Sequence, residues 1–146
     1  MSGGLYALAI SLRRARSVRV GALGVLRFDA GLYIYVGSAR KNIDARLARH
    51  RRRDKARRWH IDYLRRHCRW EGAFVFNGVE NECDLRDMIA KASGGSVAHR
   101  GFGSSDCGCE GHLVLSGTTL FGELADRIVI SARGVLVERW PSAAVY

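Results

Sequence analysis

The sequence predicts an α+β fold in which a small antiparallel or mixed sheet is flanked by helices. Residues 1–40 carry three strand-like segments, and the apolar spacing changes to that of an amphipathic helix after residue 42. Helix and strand patterns then alternate toward the C-terminus. A length of 146 residues suffices for one domain with a substantial core, and 47% hydrophobic with 26% charged residues is typical of a soluble globular protein.

Three strands are predicted in the N-terminal part, over residues 4–12, 18–26 and 31–37. The last is rich in aromatic and β-branched residues and closes at Gly37 and Ser38. A helix is predicted over residues 42–52, where Ile43 and Leu47 lie four positions apart and Asn42 is suited to the N-cap.

The remaining elements follow from shorter patterns. We predict, in order, a short helix near residues 59–64, a buried strand over 72–76, a helix over 81–93, a loop over 101–111 and a strand over 113–115. Residues 127–130 and 135–140 flank a turn in which Gly134 suits a positive φ, which predicts a C-terminal β-hairpin. We divide the chain into a domain over 3–116 and a hairpin extension over 117–146, packed on the same domain.

The basic residues are concentrated in one segment. The net charge is +10, and residues 40–69 hold thirteen Lys and Arg against three acids, so that this segment accounts for the whole excess. Such a block is typical of a protein that docks on a phosphate backbone. The alternatives are a solvated basic surface or a general preference for arginine. We favour nucleic acid as the partner because the charge is confined to one segment.

Other features limit the cellular setting. No apolar run approaches the roughly 18 residues of a membrane span. The N-terminus lacks the basic start and apolar stretch of a signal peptide. We therefore predict a cytoplasmic protein with no membrane partner.

Four cysteines are too few, and too irregularly spaced, for a disulfide framework. Cys107, Cys109 and His112 form a C-x-C-x-x-H cluster, to which Cys83 can add a fourth ligand for structural zinc. We favour the alternative of reduced thiols in a tight, Gly-rich loop because the spacing differs from that of the usual zinc knuckle.

Polar residues occur on two apolar helix stripes. Arg46 and His50 lie next to the apolar side of this helix, which is formed by Ile43 and Leu47. There they can bind a phosphate together, or they can extend into solvent as ordinary surface residues. Glu82 shares the side that buries the following apolar residues. A buried carboxylate needs a partner or a metal, whereas an acid in the first turn can also favour the helix dipole.

An ordered set of motifs resembles the GIY-YIG nuclease superfamily over about residues 3–116. The set comprises Gly4-Leu5-Tyr6, Tyr35-Val36-Gly37-Ser38-Ala39, Arg46-Leu47-Ala48-Arg49-His50, His60 and Glu82. The two motif tyrosines are 29 positions apart, and residues 18–26 can supply an added strand in that gap. The segments around residues 59–64, 82–83 and 102–113 resemble a branch of this superfamily that is sometimes joined to endonuclease III, a DNA-repair glycosylase.

The resemblance implies a metal-dependent endonuclease that hydrolyses phosphodiester bonds, with DNA as the favoured substrate in repair or recombination. It implies that Glu82 holds one Mg²⁺ or Mn²⁺, that Tyr6 acts as general base or orients the attacking water, and that Tyr35 supports it. Arg46 would bind the scissile phosphate, while His50 and His60 would orient water or a tyrosine and move protons. It also implies a functional link to a DNA-repair glycosylase.

The predicted nucleic-acid-binding residues are the motif pair and the basic run. They are Gly37, Ser38, Arg49, Arg51, Arg52, Arg53, Arg57 and Arg58. Trp59 and Tyr63 are interpreted as packing residues, with base stacking as the alternative. Their neighbours His60 and Asp62 are the better candidates for the site. Two other functions remain open, namely a non-catalytic nucleic-acid-binding module of the same fold and a zinc-stabilised interaction domain.

Overall fold

The structure, a computed structural model, describes residues 2–104 and 109–139. In chain order the elements are β1 (Ser2–Leu12), β2 (Arg16–Arg19), β3 (Val25–Phe28), β4 (Gly31–Lys41), α1 (Ile43–Arg51), α2 (His60–Arg65), β5 (Arg69–Phe76), α3 (Glu82–Ser93), β6 (Ser96–Val97), β7 (Leu113–Leu115), α4 (Phe121–Ser131) and β8 (Val135–Arg139). Within these two ranges, no helix is both long and apolar enough to cross a membrane.

The predicted α+β class is confirmed. A six-stranded sheet has the order β6-β7-β4-β1-β5-β8, and every neighbouring pair in it is antiparallel. Strands β2 and β3 form a separate two-stranded sheet. The central strand β1 pairs with β4 on one side and β5 on the other.

Side chains that alternate along β1 build two cores, one on each face of the sheet. Tyr6, Leu8 and Ile10 pack with apolar residues of α1, α2 and the β2–β3 hairpin. Ala7 and Ala9 face the other way and pack with apolar residues of α3 and α4. The sheet is therefore covered by helices on both faces, and Tyr6, the motif tyrosine of β1, lies on the α1–α2 face.

The boundaries of helices α1 and α3 agree closely with those predicted from the sequence. Helix α1 begins after Asn42, whose side chain accepts a hydrogen bond from Ala45 N at 3.1 Å. Helix α3 begins after Asn81, which accepts from Asp84 N at 2.9 Å, and ends at Gly94 with a φ of 67°. The predicted N-cap of α1 and the glycine stop of α3 are confirmed.

The predicted single strand over residues 18–26 is wrong. The chain turns within it at Gly21–Leu23, where Gly21 has a φ of 46° and Gly24 a φ of 79°. Glycine adopts this left-handed backbone without steric cost. The segment therefore contributes to two strands of a hairpin, β2 and β3, and supplies no strand to the main sheet.

The predicted C-terminal hairpin is also wrong. Residues 121–131 form α4, because Phe121, Leu124, Ala125 and Ile128 recur at helical spacing and are buried. The β-branched run around Ile128 misleads because a short apolar run does not distinguish helix from strand. Strand β8 instead pairs with β5 at the edge of the main sheet.

The role of Gly134 differs from the prediction as well. The positive φ, 56°, belongs to Arg133. A Cβ at Gly134 would lie 2.7 Å from side-chain atoms of both Ile128 and Phe76. Close packing of the α4–β8 connection therefore requires the glycine. The part of the predicted hairpin from residue 140 onward lies outside the described residues.

Candidate active site

One cleft of about 270 Å³ receives side chains from five elements. All six predicted catalytic residues line it: Tyr6 from β1, Tyr35 from β4, Arg46 and His50 from α1, His60 from α2, and Glu82 from α3. The other lining residues are Gly37, Ser38, Arg58, Trp59, Gly103 and His112. Residues separated by as much as 106 positions in the chain, Tyr6 and His112, are thus brought to one site.

The β1–β4 register places both motif tyrosines on the same face of the sheet. Tyr6 lies opposite Gly37, and Tyr35 lies opposite Leu8, two residues further along β1. A Cβ at Gly37 would clash with the hydroxyl end of Tyr6. The absence of a side chain at Gly37 therefore allows the Tyr6 ring to lie over strand β4.

Tyr6 and His50 form a buried hydrogen-bonded pair. The Tyr6 hydroxyl lies 2.7 Å from His50 Nε2, and the two residues are each 2% exposed. Burial raises the pKa of Tyr6 to about 12, with Arg46 opposing the rise. Burial, reinforced by Lys55, lowers the pKa of His50 to about 3. Both groups are therefore neutral near pH 7, and the His50 tautomer decides which of the two donates the hydrogen bond.

Tyr35 completes this aromatic group. Its ring centroid lies 6.0 Å from that of His50 in an edge-on arrangement. Burial raises the pKa of Tyr35 well above its usual range, and the neighbouring Tyr6 adds to the rise. Tyr35 is therefore a neutral phenol that buttresses the Tyr6–His50 pair.

Arg46 is held at the rim of the cleft by two contacts. Its Nη1 donates to the Ser38 carbonyl oxygen at 3.1 Å, and its guanidinium lies 4.7 Å from the centre of the Trp59 ring. The guanidinium groups of Arg49 and Arg58 also lie over the Trp59 ring, at 4.3 and 5.1 Å from its centre. Each such cation–π contact contributes roughly 0.5–1 kcal/mol at an exposed site. Trp59 therefore positions a cluster of three arginines beside the cleft.

His60 is oriented from the segment that follows β6. Gly103 N donates to His60 Nδ1 at 2.8 Å, so that a neutral His60 carries its proton on Nε2. Burial lowers the pKa of His60, which favours that neutral form. Gly103 has a φ of 73°, and a Cβ there would lie 2.7 Å from Tyr35 Cε1. The glycine allows this segment to approach both catalytic candidates.

Glu82 is the first residue of α3 and is half-buried at the cleft. The helix is capped by the side chain of Asn81, so the side-chain cap does not depend on Glu82. The carboxylate acts electrostatically on Tyr6, Tyr35 and His112, and in each case it raises the pKa. No other carboxylate lines the cleft among the described residues.

The predicted nucleic-acid-binding residues occupy different settings. Gly37, Ser38 and Arg58 line the cleft, and Arg52, Arg53 and Arg57 are exposed. Arg51 is half-buried, and its carbonyl oxygen accepts from Arg65 at 2.6 Å. Arg49 is half-buried and forms two hydrogen bonds to Asp62, at 3.1 and 2.9 Å. The structure thus commits Arg49 to an internal ion pair.

Asp62, which the sequence placed near the site, lies outside the cleft and is 1% exposed. Besides Arg49, its carboxylate accepts from Arg58 N and Trp59 N at 2.8 and 3.0 Å, at the start of α2. These bonds to the charged form, led by Arg49, lower the pKa of Asp62 against the effect of burial. Asp62 anchors the segment that carries Trp59 and His60.

Three of the four predicted zinc ligands come together beside the cleft. One ligand atom each from Cys83, Cys109 and His112 lies within 4.8 Å of the others, and the group can hold a metal ion. His112 is buried and lies with Nε2 at 3.9 Å from Cys83 Sγ. Cys107 lies outside the described residues. Cys68 is buried in the core beneath the α1–α2 face and takes no part in the group.

The sequence did not predict three lining residues as parts of the site. Trp59 was interpreted as packing, but its cation–π role follows only from the arginines that surround it in space. Gly103 and His112 reach the cleft from the loop between β6 and β7. Gly103 contributes its backbone N–H, and His112 contributes its ring. No periodic pattern marks such loop residues, although the high glycine content of 101–111 indicates close approaches.

The fold and the site define an α+β protein with an antiparallel sheet whose central strands carry a Tyr/His-lined cleft bordered by arginines. The model of the family described as domain of unknown function DUF123 matches residues 5–130. The chain therefore belongs to this family. Comparison with curated proteins and with solved structures gives no match.

Proposed function

We propose that the protein is a metal-dependent endonuclease that hydrolyses phosphodiester bonds in nucleic acid, with DNA as the favoured substrate. The observation that carries the proposal is the convergence of Tyr6, Tyr35, Arg46, His50, His60 and Glu82 on one cleft. These residues were selected from the sequence by their resemblance to the GIY-YIG nuclease superfamily, and membership of that superfamily is part of the proposal.

The cleft has the groups that phosphodiester hydrolysis needs. Arg46, fixed on Ser38 and Trp59, presents a planar guanidinium suited to a phosphate. Arg58 lies at the same cleft and adds positive charge where the transition state gains negative charge. His60, oriented through Nδ1, offers an Nε2–H donor to water or to a phosphate oxygen.

The Tyr6–His50 pair provides a route for the proton of the attacking water. A neutral Tyr6 can act as a base only while it gives up its own proton, and His50 Nε2, 2.7 Å away, accepts that proton in the tautomer that carries its hydrogen on Nδ1. As the hydroxyl accepts a proton from water, it passes its own to His50. The nearby Arg46 stabilises the negative charge that develops on the phenol oxygen during this transfer.

Glu82 fits a Mg²⁺ or Mn²⁺ ion. Mg²⁺ is commonly bound through one or two carboxylates together with waters and phosphate oxygens. One half-buried carboxylate at a cleft that is otherwise lined by neutral and basic groups matches that donor set. A bound ion would supply charge stabilisation to the phosphate and lower the pKa of a water molecule.

A second candidate function is a nucleic-acid-binding module without turnover. The observation that favours it is the opposite shift of the two pKa values, to about 12 for Tyr6 and about 3 for His50. Both shifts make proton transfer from water to this pair more difficult. The basic cleft would bind a phosphate backbone in either case.

The decisive experiment is cleavage of labelled single-stranded, duplex, flapped and abasic-site DNA with and without Mg²⁺ or Mn²⁺. The flapped and abasic substrates address a role in repair or recombination and a link to a DNA-repair glycosylase. We expect metal-dependent cleavage by the wild type. Binding to these substrates without cleavage under either metal would instead support the binding module.

Glu82→Gln tests the metal ligand. We expect it to abolish metal-dependent cleavage while preserving or slightly strengthening binding, because it removes a negative charge beside the phosphates. The matched control is Glu80→Gln, which removes an exposed carboxylate just before α3 and leaves the Asn81 cap in place. Equal cleavage by Glu82→Gln and the wild type would exclude the proposed role of Glu82.

A further inference from the structure

The first turn of α3 carries two different kinds of metal-binding group side by side. Glu82 offers a hard oxygen donor to the cleft, whereas Cys83 faces Cys109 and His112. Thiolate and imidazole ligands suit Zn²⁺ and similar ions, and carboxylate oxygen suits Mg²⁺ or Mn²⁺. The two donor sets therefore select different metals.

We propose that Cys83, Cys109 and His112 bind one zinc ion that fixes the β6–β7 loop to the start of α3. This deepens the proposed function, because the same loop orients His60 and the same turn carries Glu82. The ion is structural in this proposal and takes no part in hydrolysis.

The geometry is close to that of a zinc site. Zn–S distances of about 2.3 Å and Zn–N distances of about 2.0 Å place tetrahedral ligand atoms about 3.5–3.8 Å apart. The Cys83 Sγ to His112 Nε2 distance is 3.9 Å, and all three ligand atoms lie within 4.8 Å of one another. Adjustment of about 1 Å or less closes the set around an ion. The described residues supply three of the four ligands of a tetrahedral ion.

A buried cation lies beside the two sulfur atoms, and thiolates are the forms that bind zinc. Arg86 is 7% exposed and interacts electrostatically with both Cys83 and Cys109. Its Nη1 also donates to the Gly111 carbonyl oxygen at 2.9 Å, within the segment that joins Cys109 to His112. The guanidinium thus both offsets negative charge at the sulfur atoms and holds the ligand segment in place.

Loop connections explain what the ion would stabilise. His112 N donates to Phe102 O at 2.7 Å, and Val36 N on β4 donates to His112 O at 3.0 Å. Gly103, next to Phe102, supplies the N–H that orients His60. Few apolar side chains fill this Gly-rich loop, so a metal is an effective way to fix it.

The first test is metal content. Protein purified under reducing conditions is analysed by elemental mass spectrometry, and we expect about one zinc per chain in the wild type. Cys83→Ser and Cys109→Ser should lose most of that zinc. Cys68→Ala, which removes a buried thiol outside the group, and Glu82→Gln should both keep it. A metal-free wild type that also fails to take up added zinc or cobalt would overturn the proposal, as would a Cys83–Cys109 disulfide in its place.

The second test does not depend on the variants' folding. A strong chelator should lower the thermal midpoint of the wild type, and Zn²⁺, unlike Mg²⁺, should restore it. Co²⁺ in place of zinc should give the absorption of a thiolate-bound ion. A midpoint that is unchanged after verified zinc removal would contradict a structural ion. Zinc content is measured without substrate, so its outcome is independent of whether the protein cleaves DNA.

Discussion

His50 links the chemistry of the cleft to the acid stability of the protein. Its neighbours include the hydroxyl of Tyr6, the ring of Tyr35 and the ring of Trp59. Its Nδ1 is buried and makes no hydrogen bond to the described residues. Among the described residues no carboxylate forms an ion pair with the ring, and Asp62 opposes the lowering of the pKa less than burial and Lys55 promote it.

We predict that the free energy of unfolding falls as the pH is lowered from about 6.5 toward 3. The pKa of His50 is about 3 in the folded protein, against a usual 6.5, so the unfolded chain binds more protons in this window. The slope from this residue approaches about 1.4 kcal/mol per pH unit. Urea unfolding at several pH values should show a smaller slope for His50→Gln.

Tyr6→Phe is the matched control for that measurement. The substitution removes the hydrogen bond between Tyr6 and His50 but keeps the His50 ring buried. Burial is the largest cause of the lowered pKa of His50. The pH slope should therefore survive in Tyr6→Phe. An unchanged slope in His50→Gln would show that the other histidines, rather than His50, carry the acid sensitivity.

At the level of single residues, the structure brings the side chains of the sequence motifs together in one cleft. Arg46, His50 and Glu82 each place a polar side chain on an apolar helix stripe, Tyr6 comes from the resemblance to the GIY-YIG motifs, and all four line the cleft. The misplaced residue was Asp62, whose burial in an ion pair depends on Arg49, thirteen positions away. A sequence pattern does not reveal such a partner, because the turn between α1 and α2 has no regular period.

The connection between α1 and α2 is the element that positions the basic side of the cleft. Lys55 Nζ donates to the carbonyl oxygens of Arg49, His50 and Arg52 at 3.1, 2.9 and 2.6 Å, which satisfies the C-terminal end of α1. Lys55 Nζ also lies 3.8 Å from Asp62. Burial lowers the pKa of Lys55 to about 8, and Asp62 opposes that change.

We predict that Asp62→Asn destabilises the protein by roughly 2–4 kcal/mol, because it leaves Arg49 and Lys55 partly buried without their counter-charge. The start of α2 would also lose the charged acceptor for Arg58 N and Trp59 N. Denaturant unfolding measures the loss. Asp54→Asn changes an exposed acid in the same connection and should stay within about 0.5 kcal/mol of the wild type. Equal stability of the two variants would refute the anchoring role.

Among the elements, those with clear caps were the most predictable. Asn42, Asn81 and Gly94 mark helix ends through local hydrogen bonds or a left-handed backbone, so the sequence contains the signal. The region from residue 121 is harder to predict, because the apolar run over 128–130 suits a strand and the helical spacing becomes visible only from Phe121 onward. The prediction for residues 18–26 is wrong because its two glycines, Gly21 and Gly24, mark a turn, whereas the surrounding apolar residues suit a continuous strand.

On the scale of the whole molecule, the basic surface extends further than residues 40–69. A groove of about 290 Å³ is lined by Arg16 and Arg19 of the β2–β3 hairpin together with Arg57, Arg66 and His67. No acidic residue lines this groove among the described residues. Arg57 lies in the groove and the adjacent Arg58 in the cleft, so the two positively charged regions are continuous.

The surrounding charge is reflected in the pKa of His67. Burial is the largest cause of the lowered pKa of His67, and the positive charges of Arg16, Arg53 and Arg57 lower this pKa further. The sequence could not reveal this convergence, because the hairpin lies about forty residues before Arg57 and α2 and meets them only through tertiary packing. A surface with this charge suits the sequence-independent part of the nucleic-acid binding that we propose.

We predict that DNA binding weakens linearly with salt on a double-logarithmic plot, and that the hairpin contributes to the slope. Each phosphate contact accounts for a slope of about 0.9 on duplex DNA. Arg52→Ala, Arg57→Ala and Arg16→Ala should each reduce the slope by up to that amount, because these side chains are exposed. Fluorescence anisotropy of labelled duplex DNA at several salt concentrations gives the slopes.

The control separates a docking surface from a simple effect of net charge. Arg127→Ala removes one positive charge from α4, which covers the opposite face of the sheet, where Arg127 pairs with Glu123 at 3.0 Å. If the α1–α2 face and the hairpin contact the phosphates, Arg127→Ala leaves the slope unchanged while Arg16→Ala lowers it. Equal effects of the two variants would mean that binding follows net charge alone. A loss confined to Arg57→Ala and Arg52→Ala would restrict the docking surface to the segment that the sequence predicted.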